Sequence, residues 1–311
     1  MMQKLFDHTY LIDGLDLGMK ERTGIYVLDN EQLTIIETGP SQSFEPIRLG
    51  LKQLGYKMTD ISHIILTHIH LDHAGGAGQL VQHATNARVH VHPSGYKHLI
   101  DPTKLIEGAR VVYGDAFDRT FAPVLPVPKR MVVSQEDGAQ LSIGNNRTLT
   151  FFHTPGHAMH HISILDSETN GIFTGDTVAV YYKSLSDRHN QCVSVPSTSP
   201  SQFDPAMMAN SWEKIRRLSP DVLYLGHFGA PQQTDQLFLN SEQLLEKFID
   251  ALRTESQDAK RLARVLQQTV QDYYQLEQLT DDESNMLNVD CQVSALGLIH
   301  AYEKGRIELD G

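Results

Sequence analysis

Four side chains able to hold a metal fall within six residues of this 311-residue chain: His68, His70, Asp72 and His73, in Thr67-His68-Ile69-His70-Leu71-Asp72-His73. An apolar run at residues 61–66 precedes them and reads as a buried strand, and Ala74-Gly75-Gly76-Ala77-Gly78 follows. On an extended strand end, residues two apart point the same way, so His68 and His70 share a direction. Asp72 and His73 leave where the glycines turn the chain toward a helix. Imidazole suits zinc, iron and manganese, and a neighbouring carboxylate suits a hard divalent cation or a polarised water. Two ligand pairs with different directions can serve two adjacent metals. The strand before and the glycine turn after are the context that such a site needs, and they set it apart from a surface histidine cluster.

Three later strand-to-loop junctions each deliver one more ligand type. An apolar run reaches Thr154-Pro155-Gly156-His157, a second ends at Thr174-Gly175-Asp176, and a third ends at Leu225-Gly226-His227. A lone strand-end histidine is more often structural than ligating. Together with the first motif, the three junctions make a set.

On the motifs at residues 67–73, 154–157, 173–176 and 225–229, the chain resembles the metallo-β-lactamase-fold hydrolase superfamily over residues 5 to 235. The resemblance implies an α+β, four-layer αββα sandwich with the metals at one edge. It implies that His68, His70 and His157 hold one metal, that Asp72, His73 and His227 hold the other, and that Asp176 bridges them. The details are closer to the glyoxalase II, lactonase and ribonuclease Z side than to the true β-lactamases, which usually carry cysteine at the Asp176 position. The flavodiiron branch has glutamate where this chain has His70. One position departs from the pattern. The family commonly shows Asp-Thr-Gly where this chain reads Glu37-Thr38-Gly39. Glu37 is one methylene longer and is expected to support a metal-bound histidine from the outer shell. His161, four residues after His157, is the supporting histidine of that pattern, whereas His153 and His160 read as packing.

Length and composition bound the remaining choices. A chain of 311 residues with 40% hydrophobic and 21% charged content can bury a large core. It has no apolar run of about 18 residues, so no membrane span is expected. Its first residues show no signal region, which reads as cytoplasmic. Cys192 and Cys291 lie too far apart to suggest a disulfide framework. The net charge of −12 argues against nucleic acid, since phosphate backbones are held by clustered Lys and Arg. The densest basic cluster, Lys214, Arg216 and Arg217, reads as a solvated helix face.

Strand and helix patterns alternate through residues 1–234, the expected hydrolase domain. Residues 235–311 have helical spacing and read as a C-terminal extension packed on that domain, with 281–284 a connection before a last helix. Residues 94–135 are a long apolar and aromatic insertion, expected to wall a substrate pocket, to form a subunit contact or simply to cover the core.

These readings lead to a dinuclear metal-dependent hydrolase. Two divalent metals, zinc first with iron or manganese as alternatives, share a bridging water at a separation of about 3.5–4 Å and bring its pKa near neutral. The resulting hydroxide attacks a carboxyl derivative, meaning a thioester, lactone or ester, and Asp72 shuttles a proton. Tyr181 and Tyr182 are candidates to donate to a developing oxyanion, although strand-end packing suits them equally, and His189 is a weaker candidate for the substrate rim. The expected partner is a small-molecule substrate, with a homodimer allowed. The rival readings are a metal phosphodiesterase or nuclease, a mononuclear iron oxygenase on the first three histidines, and a non-catalytic member.

Overall fold

The computed structural model describes residues 2–255 and 258–308. Seven strands form the first sheet in chain order: β1 (Met2–Phe6), β2 (Thr9–Asp13), β3 (Gly24–Leu28), β4 (Thr34–Ile36), β5 (His63–Ile65), β6 (Arg88–Val91) and β7 (Val132–Ser134). The first four pair antiparallel across direct connections. From β4 onward the pairing is parallel, because each crossover runs through helix. The second sheet has the order β12-β11-β10-β9-β8, with β13 also on β11. Its strands are β8 (Gln140–Ser142), β9 (Thr148–His153), β10 (Ile162–Asp166), β11 (Gly171–Tyr181), β12 (Ser194–Val195) and β13 (Val222–His227).

The chain forms two compact units. One holds the residues up to His153, His160–Gly175 and Asp221–Ala230; the other holds Thr154–Met159, Asp176–Pro220 and the chain from Pro231 on. In the first unit the two sheets share a core of Leu11, Tyr26, Ile36 and Ile65 with Phe151, Ile164, Phe173 and Tyr224. The opposite face of the first sheet packs Val27, Ile35, Ile64 and Val89 against Ile47 and Leu51 of helix Phe44–Gln53 and Leu80 and Val81 of helix Ala77–His83. Strands β3 to β5 are therefore buried on both faces, which explains why, apart from Thr34 and His63 at the starts of β4 and β5, their sequences are apolar.

Arg147 fastens the first unit internally. Its guanidinium is buried and donates twice to Asp166, at 2.7 Å each, and also to Asn30 Oδ1 and Thr9 Oγ1. The second unit is helical: Pro205–Arg217, Thr234–Glu255, Ala259–Tyr274 and Asp281–Glu303 are its long elements.

One expectation changes. The acidic residues 281–284 are not a connection but the first turn of the last helix. Thr280 Oγ1 accepts the Glu283 N–H, and Glu283 Oε2 accepts the Thr280 N–H. This capping box places negative charge at the positive end of the helix. The 94–135 insertion is helical over Tyr96–Ile100, Thr103–Tyr113 and Phe117–Phe121, and its last residues supply β7 of the first sheet.

A directional hydrogen-bond chain crosses the parallel half of that sheet. Gln135 Nε2 donates to His90 Nδ1 at 2.6 Å, His90 Nε2–H to His63 Nδ1 at 2.9 Å, and His63 Nε2–H to Gln32 Oε1 at 2.6 Å. Each imidazole is neutral in the one tautomer that satisfies both its neighbours. Burial pushes the His90 pKa down to about 3, and the nearby Arg88 charge adds to this.

Two measurements test this account. Arg147→Met strands the Asp166 carboxylate in the core and is expected to cost about 3–5 kcal/mol in denaturant unfolding. Arg147→Met combined with Asp166→Leu is expected to cost much less. Because the folded-state pKa of His90 lies below its unfolded value, the unfolded chain binds the extra proton. Stability is then lost as pH falls from about 6.5 toward 3, with a slope on the order of 1.4 kcal/mol per pH unit from this group. His90→Gln is expected to remove that slope, read as the difference between wild-type and variant unfolding curves across the pH series.

Candidate metal centre

The first motif changes backbone state halfway along. Thr67 to His70 continues extended beyond β5, with His70 at ψ 149°, and Leu71–Ala74 forms a single helical turn carrying Asp72 and His73. That turn closes before the glycines. The glycines answer to close approach instead: a Gly75 Cβ would clash with the Leu71 carbonyl oxygen, and the segment at residues 38–40 passes against Gly76. The carbonyls of Thr38, Gly39 and Pro40 lie 3.1–3.3 Å from where a Gly76 Cβ would sit. The Thr38 N–H and hydroxyl both donate to the His73 carbonyl, at 2.9 and 2.8 Å.

Within the first unit three ligand atoms converge. His73 Nε2 and His227 Nε2 are 3.4 Å apart, and Asp72 Oδ2 lies 3.4 Å from His227 Nε2 and 3.7 Å from His73 Nε2. His227 Nδ1–H donates to the Arg22 carbonyl at 2.9 Å, which leaves the lone pair on Nε2. His73 Nδ1 faces Glu37 Oε1 at 3.6 Å. Two imidazole lone pairs and a carboxylate oxygen aimed at one point are stabilised by a cation there. This donor set of nitrogen and hard oxygen fits zinc and other divalent ions.

Glu37 lies beneath both motif pairs. Its Oε1 accepts the Thr67 hydroxyl, and Thr67 Oγ1 in turn accepts His68 Nδ1–H at 3.0 Å, leaving the His68 lone pair on Nε2. Its Oε2 is buried with no hydrogen-bond partner among the described residues. Glu37 also holds φ at 67°, in the left-handed region, which a longer side chain tolerates only when its surroundings fix it. The His68 ring lies 4.2 Å from that of His73 and 5.1 Å from that of His161, centroid to centroid. His160, which reads as packing in the sequence, also stands beside these rings, edge-on to His70 at 5.4 Å, with its Nδ1 accepting the Ile69 N–H. His153 instead packs on His92, with ring centroids 4.2 Å apart.

In the second unit His157 and Asp176 form a pair, Nε2 to Oδ2 at 3.6 Å. His157 Nδ1–H donates to the Ser197 carbonyl at 3.0 Å, so its Nε2 also carries the lone pair. The Ser197 hydroxyl reaches Asp176 Oδ2 at 3.3 Å, and the Ser199 hydroxyl donates to the His157 carbonyl at 2.9 Å. Sequence reasoning missed both serines. Their one signal is the proline on either side of Ser197-Thr198-Ser199, which marks a stiff segment.

The two tyrosine candidates face elsewhere. Tyr182 is buried and donates to Asp290 at 2.7 Å. Tyr181 lines a cavity of about 660 Å³ with Cys192, Gln236, Asn240 and Tyr274. It stands five residues past Asp176 on β11, about 16 Å along an extended strand. Neither phenol is placed to serve an oxyanion at Asp176. His189 ends helix Lys183–His189, whose Arg188 pairs with Glu283.

A buried set of histidines and carboxylates on strand-to-loop junctions defines a metal-dependent hydrolase. The sequence model of the metallo-beta-lactamase superfamily matches residues 23–227, and the chain belongs to that superfamily. It is 29% identical over 210 residues to the metallo-beta-lactamase fold-containing protein ST1585 of Sulfurisphaera tokodaii, covering 66% of this chain and 72% of that one. The crystal structure of ST1585 superposes with a TM-score of 0.68 at 23% identity, over 93% of this chain and 97% of that one. The probable metallo-hydrolase YqjP of Bacillus subtilis is 21% identical over 260 residues, 76% of this chain and 75% of its own length. The thioesterase pkgB of Emericella nidulans is 33% identical over 127 residues, covering 41% of this chain and 27% of that protein. Among the described residues, no helix is long and apolar enough to cross a membrane.

Glu37 generates a direct test. Glu37→Gln keeps the shape but removes the charge that orients His73 and, through Thr67, His68. Zinc affinity, measured by competition with a chromophoric chelator, is expected to fall about 10–100-fold. Unchanged affinity would remove Glu37 from the centre.

Proposed function

We propose that this chain is a dinuclear metallohydrolase acting on carboxyl derivatives: thioesters, lactones or related esters. One observation carries the reading. The ligand atoms of Asp72, His73 and His227 lie within 4.8 Å of one another, and two further histidines of the same motif stand beside them, with the His68 ring 4.2 Å from that of His73 and 4.6 Å from that of His70. In this reading His68 and His70 would hold the other metal together with His157, and Asp176 would serve both, as the resemblance implies.

When bound, the metals lower the pKa of a water and polarise the substrate oxygen. The chain supplies the rest. The carbonyls of Arg22 and Ser197 fix His227 and His157 with protons on Nδ1, so that each keeps its Nε2 lone pair inward. Asp72 is 18% exposed while its imidazole partners are nearly closed to solvent, which makes it the carboxylate turned toward incoming substrate. It accepts the proton from the attacking water and returns it to the leaving group.

Two features favour a carboxyl over a phosphoryl substrate. Arg216 and Arg217 of the basic helix face are paired with Glu242 and Glu213, leaving no guanidinium cluster there for phosphate. Leu71, between His70 and Asp72, is buried with Phe117 and Phe121 of the insertion, against Ile106, Tyr113 and Val124. An apolar wall beside the motif suits an acyl group, and the similarity to a thioesterase agrees with it.

The test is a substrate panel on the zinc-loaded protein. Thioester or lactone turnover is expected to exceed bis-nitrophenyl phosphate turnover, and Asp72→Asn to lower kcat at least about a hundredfold with little change in KM. About two zinc ions per chain are expected, falling on Asp176→Ala. Faster phosphodiester turnover would move the assignment to the nuclease side. A single ion per chain in the wild type would remove the dinuclear reading.

A further inference from the structure

We propose that Asp16 is a positioning residue for the His227 side of the centre, acting through Arg22. This rests on the two-metal reading above. Asp16 Oδ2 accepts Arg22 Nε–H at 3.1 Å, and both side chains are buried. The same Arg22 offers its main-chain carbonyl to His227 Nδ1–H at 2.9 Å, and the adjacent Thr23 hydroxyl stands 3.4 Å from that nitrogen. Arg22 thus links Asp16 to a ligand histidine: its side chain is held by the carboxylate and its backbone holds the imidazole.

The connection is short and stiff. Asp13 accepts the Leu15 N–H at one oxygen, at 3.1 Å, and the Glu21 N–H at the other, at 3.0 Å. Gly14 N–H donates to the Thr23 carbonyl, and the Ser43 hydroxyl donates to the Gly14 carbonyl. Leu15, Leu17 and Glu21 all hold φ near 55°, in the left-handed region, within a single loop. Three such residues persist together only where contacts over-determine the backbone. The loop between β2 and β3 is therefore built to one shape, and that shape presents the Arg22 carbonyl to His227.

The Asp16 carboxylate also sits in the field of the ligand group. Burial lifts its pKa above the ordinary carboxylate range. Arg22 opposes this most strongly, Asp72 adds to it, and His227 and His73 work against it. Its Oδ1 is buried with no hydrogen-bond partner among the described residues. An orphan carboxylate oxygen and a buried ion pair are costly to keep in a core. Asp16 and Arg22 keep both next to Asp72, His73 and His227, where a bound cation compensates a buried negative charge.

The experiment uses the full chain and zinc alone. Zinc binding is followed by chelator competition, and the His227 tautomer of the zinc-free protein by ¹⁵N resonances of the ring. Asp16→Asn keeps the side-chain shape. Asp16→Asn with Arg22→Gln removes both charges together, should the single variant fold poorly. Either variant is expected to weaken one of the two zinc steps about 10–100-fold, to leave the other within about twofold, and to turn the Nδ1-protonated His227 into a tautomer mixture. Unchanged zinc steps with an unchanged tautomer overturn the proposal. So does equal weakening of both steps, which marks a general loss of fold. A single zinc step in the wild type counts against the two-metal reading, and the His227 tautomer then decides the role of Asp16 alone.

Discussion

The hydrogen bonds and short contacts of one buried carboxylate organise the first motif. Glu37 lies at the end of β4, and through Thr67 and His73 it fixes both the extended half of the motif and its helical half. Neither half is stable in isolation. The extended half holds two histidines against the electrostatic preference of a polar group for water, and a one-turn helix has no cooperative stability of its own. The parallel sheet makes the placement possible. Strand β4 pairs with β5 in register, Ile36 opposite Ile65, so residue 37 falls opposite residue 66 and its side chain reaches Thr67. The apolar sequence of these strands is thus a positional device as well as a source of burial.

The same logic recurs at the other ligands. His227 ends β13, and that strand is located by Tyr26, whose hydroxyl lies 2.6 Å from the Leu225 carbonyl and whose ring meets Phe173 and Tyr224 edge-on. His157 follows Gly156, where the chain turns at φ 136° against the first turn of helix Pro205–Arg217. At both histidines a backbone carbonyl takes the Nδ1 proton. The tautomer of each is therefore set by the loop that presents the carbonyl rather than by a side-chain acceptor.

The ligand types and the two-sheet plan were readable because they depend on local sequence. Strand ends and glycine turns impose themselves within a few residues, and His68, His70, Asp72 and His73 lie in one such stretch. Contacts made at long range left no such mark. Ser197 and Ser199 meet His157 across roughly forty residues, and nothing in a Ser-Thr-Ser segment signals it. Asp16 and Arg22 belong to no motif, and their pairing across a loop is visible only in the structure. Tyr181 and Tyr182 misled because closeness in sequence to Asp176 becomes distance along an extended strand. The acidic run at 281–284 looked like a linker because cap residues share their composition with turns, and only the reciprocal Thr280–Glu283 bonds separate the two.

The insertion is anchored unevenly. Its return leg is clamped: Ser41 hydrogen-bonds the Pro123 carbonyl, Gln42 the Ala122 carbonyl, and Leu125 closes on Gly78. Its outgoing helix, Thr103–Tyr113, has no fully buried residue, and Val111 is 87% exposed. Amide protons of that helix should exchange through small local openings, while those of β4 and β5 wait for global unfolding. Substitutions at its exposed positions, such as Val111, carry little thermodynamic penalty, whereas Ile106 and Tyr113 pack on Leu71 and its neighbours. The outer face of this helix is therefore a part of the insertion whose side chains can change without a packing cost being passed to the first motif.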